Sequence, residues 1–85
     1  MVKQMPAEVA ETFASIGVHM AASKDRDLDE MLAYRTELRR KIRDNYEYGD
    51  QERLDNLVEE IAETRRVLRD LWKEIERFRV ISHPN

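Results

Sequence analysis

The chain contains no cysteine, only two glycines and only two prolines among its 85 residues. Without cysteine, disulfides and thiolate zinc sites are excluded. With so few glycines and prolines, little interrupts helix, and the composition suits a nearly all-helical chain. Histidine is scarce too. His19 and His83 lie far apart, and neither follows a glutamate at the Glu-x-x-His spacing of di-metal bundles. No metal ligand and no cofactor is therefore assigned, and Glu59, Glu60 and Glu63 read as a solvated face. Nor is there an excess of one charge. Fifteen Lys and Arg against 18 Asp and Glu leave a net charge of −3, which is not the footprint of a protein that grips duplex by bulk positive charge. No apolar run approaches the ~20 residues of a membrane span. Glu8 and Glu11 interrupt any signal-like apolar stretch, so the expected setting is cytoplasmic, away from membranes. No nucleophile–base set and no glycine-rich phosphate loop is present, so no catalytic residue is assigned and an enzyme is not expected.

What the chain does have is a heptad. Leu54, Leu57, Ile61, Leu68, Leu71, Ile75 and Phe78 alternate steps of three and four, with only Thr64 breaking the series. Leu54, Ile61, Leu68 and Ile75 take the a positions; Leu57, Thr64, Leu71 and Phe78 take d. A second heptad holds Leu28, Arg35 and Ile42 at a, with Met31, Leu38 and Asn45 at d. The segment Glu47-Tyr48-Gly49-Asp50 reads as the turn between them, with Gly49 suited to a left-handed conformation and Asp50 to an N-cap.

These features predict an all-α single small domain spanning residues 1–85. An N-terminal helix is expected over about 6–21, with Pro6 in its first turn and Met5, Val9, Phe13, Ile16 and Met20 on one face. Gly17 either ends that helix or sits inside it at a close contact. The polar stretch Ser23-Lys24-Asp25-Arg26-Asp27 reads as a break. An antiparallel coiled-coil-like hairpin follows over 27–79, from helices at about 27–46 and 51–79, and then a tail at 80–85. Anchoring the hairpin at its turn pairs Ile42 with Leu57, Leu38 with Ile61, Met31 with Leu68, Leu28 with Leu71, and Asn45 with Leu54. Arg35 then faces Thr64, and Lys41 lies beside Glu60. Ile75 and Phe78 overhang and need cover from Phe13, Ile16 and Met20, in cis or from a second subunit. The outcome is a three-helix bundle, or a hairpin dimer forming a four-helix bundle.

Two groups of side chains stand out as candidate sites. Trp72, Val58, Leu32 and Tyr46 occupy e positions and widen the apolar stripe beyond what two strands cover. With Phe78 and Phe13 they read either as a partner-binding surface or as core beneath the first helix. Arg35, Arg39 and Arg65, with Thr64, read either as an anion pocket using guanidinium forks or as a polar layer that sets register. The functional expectation is a small non-enzymatic interaction module (adaptor, inhibitor or regulatory subunit) that binds another protein and forms a homo-oligomer, with a dimer favoured. The alternative is a nucleic-acid-associated regulator using the arginine patches of a dimer.

Overall fold

The computed structural model describes residues 5–83. They form two long helices, α1 (Ala7–Asn45) and α2 (Asp50–Ser82), folded back on each other as an antiparallel hairpin. Among the described residues there is no strand. The 39 residues of α1, at about 1.5 Å each, account for the 60 Å long axis of the molecule.

The expected break at residues 23–27 does not exist: the helices placed at 6–21 and 27–46 are one continuous helix. The heptad explains why. Counting back from Leu28 in alternating steps gives Lys24, Ala21, Gly17, Ala14 and Ala10, with no change of phase. Ala10, Ala14, Gly17 and Ala21 are all buried, and residues 23–27 are all exposed. The polar stretch is therefore a solvated helix surface. Lys24 occupies its seam position with its long stem and leaves its charge in water.

This seam also corrects the face expected for the first helix. Small residues, not Val9, Phe13, Ile16 and Met20, occupy the contact line. Gly17 sits inside the helix, where an added Cβ would lie 2.6 Å from Ile75 Cγ1. The free half of the hairpin is thus built from small side chains on α1 and large ones on α2. One buried cluster joins Ala21, Leu68 and Ile75, with Val18, Leu28 and Leu71 against it. The other joins Leu38, Leu57 and Ile61, with Met31, Leu32, Ile42 and Leu54 among the residues packed around it.

The expected pairing is displaced: Leu38 clusters with both Leu57 and Ile61, and Met31 packs with that cluster rather than with Leu68. At the free end, Phe13 stacks on Phe78 with ring centroids 5.4 Å apart. The turn-anchored pairing would instead have placed Phe78 opposite Ala21. The cause is a tight connection, since only residues 46–49 separate the helices. The cover for Ile75 and Phe78 comes in cis, from the same chain's α1.

Both ends of the helices are locally explained. Pro6 precedes α1 as its N-cap rather than lying in the first turn. Its φ of −56° suits the entry, and its carbonyl accepts the Ala10 N–H at 3.0 Å. Gly49 has φ +91° with open space around it, so conformation alone calls for glycine there. It caps the start of α2 rather than the end of α1. α2 runs on through Ser82, past the expected end near 79, so residues 80–82 of the expected tail are helix. Residues 84 and 85 of that tail lie outside the described residues.

Asp50 is not the N-cap expected of it. It is the first residue of α2 and is fully buried, with its carboxylate turned back into the turn. Oδ2 accepts the Glu47 N–H at 2.9 Å and Lys41 Nζ at 3.0 Å; Oδ1 accepts Lys41 Nζ and Arg53 Nη1, each at 3.2 Å. Lys41 also approaches Glu47 Oε1 at 3.5 Å, so Glu60 is not its partner. The Lys41 ammonium and then the Glu47 N–H hold the Asp50 carboxyl below its ordinary value of 3.8. The hydrogen bond to Asp50 holds Lys41 above 10.5, against the opposing effect of burial. The sign of the pH dependence follows. Asp50 contributes stability that is complete above pH 3.8 and is lost as the pH falls through its lower folded value. Lys41 contributes stability that is complete below pH 10.5 and is lost as the pH rises through its higher folded value. Melting temperature measured against pH should therefore show a plateau with a fall at each end. Asp50→Asn should lower the plateau and flatten the acid limb. An unchanged acid limb would show that the clasp does not hold the turn.

Candidate interaction surface

In an antiparallel pair, residues at e face one another along one flank, and those at g along the other. The structure respects this division. On the g flank, Phe13 and Met20 share a groove with Glu74, and Asp27 and Tyr34 share a depression with Glu60. On the e flank lie Val18, Leu32, Val58 and Trp72.

The expected partner-binding residues divide between the two flanks. Trp72 is 41% exposed, with the Arg79 guanidinium carbon 6.0 Å from its ring centroid, a cation–π contact at a wet site. Val58 is equally exposed, and Tyr46 is exposed at the end of α1. Leu32 is half-buried against the Leu38 cluster. Phe13 and Phe78 stand at the free end of the g flank, stacked on each other. The six residues therefore do not form one patch.

The arginines are dispersed as well. Arg35 lies in the seam, half-buried, with its Nε enclosed and without a hydrogen-bond partner. Arg39 lines an outward depression with Thr36, Arg40 and Arg43, and Arg65 is exposed. Arg40 pairs with Glu37, and Arg43 with Asp44. Thr64 borders the separate depression that holds Asp27 and Glu60. Among the described residues, no group of three His, Asp or Glu side chains is placed to hold a metal ion. Nor is any of their helices long and apolar enough to cross a membrane.

The feature that sequence reasoning misassigned is the stripe of Val9, Phe13, Ile16 and Met20. Expected in the core, these side chains are 42–52% exposed. Phe13, Ile16 and Met20 form one wall of a groove whose other wall is Leu71, Ile75 and Phe78, with Glu74 its only charged residue. Its volume of about 170 Å³ is too small for a drug-sized ligand and matches a few apolar side chains. The signal that would have found this arrangement is the Ala10-Ala14-Gly17-Ala21 spacing, which continues the Leu28 heptad.

Comparisons of the chain with protein-family models, with curated proteins and with solved structures give no match.

Proposed function

We propose that the protein is a non-enzymatic cytoplasmic interaction module that binds a partner protein by helix packing along its e flank and self-associates into a four-helix bundle. One observation carries this reading. A hairpin with a single seam leaves large apolar side chains half in water on both flanks, Trp72 and Val58 on one and the Val9–Met20 stripe on the other. Isolated exposed apolar residues are ordinary, whereas grouped ones mark contact surfaces. Trp72 suits a hot spot, being large, half-exposed and bordered by Arg79. The arginine-patch alternative is weaker, because Arg40 and Arg43 each pair with a neighbouring carboxylate.

The test is a nuclease-treated pull-down of the tagged protein from its native cells. A stoichiometric protein partner should survive nuclease and be lost with Trp72→Ala, which is expected to weaken binding by about 2 kcal/mol, roughly thirtyfold. Circular dichroism should show the helices intact, because so much of the ring already lies in water. A partner retained at full strength by Trp72→Ala would remove the e flank from the binding site. Capture that depends on nucleic acid would favour the alternative.

A further inference from the structure

We propose that the Val9–Phe13–Ile16–Met20 stripe is the seam of a homodimer, in which two copies pack α1 against α1, antiparallel, across a two-fold axis between Phe13 and Ile16. The inference rests on the self-association part of the reading above and assigns it a surface and a direction.

The stripe is a second heptad seam on a helix that already has one. Its steps are four, three and four, at c and g positions, roughly 110° around the helix from the a/d line at 100° per residue. A helix with two such lines is built to meet two neighbours. α2 supplies the first neighbour. The second contact line stays half-exposed, with Phe13, Ile16 and Met20 beside Leu71 and Phe78 along an apolar groove whose one charged residue is Glu74.

A second copy fits this line better than an unrelated helix for two reasons. First, the spacing is palindromic. Four-three-four reads the same in reverse, so a two-fold axis sets Val9 against the partner's Met20 and Phe13 against the partner's Ile16 in one register. Second, the charge pattern selects the antiparallel direction. No charged residue occupies a c or g position of α1 from Val9 through Met20, but Asp27 and Glu30 follow toward the turn. Parallel copies would stack these carboxylates on their own images. Antiparallel copies place the two Asp27 carboxylates at opposite ends of the contact, far from one another.

The size is adequate, and no more. The two α1 helices overlap from Ala7 to residue 22, about 24 Å at 1.5 Å per residue. Across the 22 Å width of the hairpin this covers at most roughly 500 Å² per copy, and the total of about 1,000 Å² is the least that a specific interface needs. The dimer is thus expected to be reversible, with the two turns pointing away from each other and a four-helix bundle only where the free halves overlap.

Because the chain has no cysteine, single introduced thiols report the geometry. Oxidising a mixture of Val9→Cys and Met20→Cys chains should give the mixed disulfide, while each variant alone should give little. Homodisulfides from each variant alone, with no mixed product, would mean parallel packing and overturn the proposal. Ile16→Glu should raise the dimer dissociation constant at least tenfold in sedimentation equilibrium, with helicity retained because Ile16 is already half-exposed. Phe13→Asp serves as a second variant with the same expected outcome. A dimer that persists in both would put the seam on another face and leave self-association standing. A wild-type chain that sediments as a monomer at every concentration would remove self-association itself.

Discussion

Replacing Ile61 with aspartate is expected to abolish the helical circular-dichroism signal at 25 °C. Ile61 is 2% exposed and packs directly into the cluster with Leu38 and Leu57. The substitution removes its apolar contacts and leaves a carboxylate facing those side chains. An unpaired buried charge of this kind costs several kcal/mol. A chain of 85 residues has roughly 4–13 kcal/mol of stability in total. In a single-seam hairpin there is no second layer to take up the loss. Ile61→Val, which removes one methylene from the same place, should cost only about 0.5–1.5 kcal/mol. Retention of wild-type helicity and melting temperature by the aspartate variant would mean that Ile61 does not face α1.

Gly17→Ala should also destabilise the hairpin, although alanine is the better helix former. The propensity gain is about 1 kcal/mol. Against it stands a Cβ placed 2.6 Å from Ile75 Cγ1 and 3.3 Å from Cδ1. Ile75 is 1% exposed and β-branched, so it has one strongly preferred rotamer and no room to turn aside. The helices must separate instead, and overpacking of this kind costs about 1–3 kcal/mol. The clash less the propensity gain leaves a net loss of up to about 2 kcal/mol, seen as a fall in melting temperature of up to roughly 16 °C. Gly17→Leu should go further and part the helices over the free half. A double-mutant cycle isolates the cause. Ile75→Ala should cost less in the Gly17→Ala background than in the wild type, because the added methyl then fills space that Ile75 vacated. Additive losses would show that Gly17 and Ile75 do not touch.

These two residues also show what could be read from the amino-acid pattern. The α2 seam was legible because its residues are large and leave no doubt about phase. The same rule failed on the first half of α1. Reading by size selects Val9, Phe13, Ile16 and Met20 as the core face, yet the buried line of α1 is Ala10, Ala14, Gly17 and Ala21, with Phe13 stacked on Phe78 at its edge. Small residues let the helices approach, and large ones then stand at the rim. Ser23–Asp27 looked like an interruption because polarity was weighed above phase, although nothing in the segment breaks a helix. Asp50 was recognised as a turn residue, but its partners lie on both sides of the turn, and local capping rules do not reach Lys41. The exposure of Trp72 was open between two readings, because an e position is neither in the seam nor outside it.

The unequal halves of the seam also bear on the order in which the hairpin closes and opens. Contacts near the turn, such as Leu38 with Ile61, close a loop of about 23 residues, while Phe13 and Phe78 close one of about 65. That difference adds only about 1 kcal/mol of closure entropy. The small side chains of the outer half add to it, since each alanine removes far less apolar surface from water than a leucine does. Zippering should therefore begin at the turn, where the Lys41–Asp50 clasp ties the helices together, and run outward. Fraying should run the other way. Amide protons near Ala10 and Ile81 should exchange with solvent through local opening, and those near Leu38 and Ile61 only through complete unfolding. A partner seated on the outer half would then bind and close the least protected part of the chain in one step, so occupancy there would be read as a slowing of exchange.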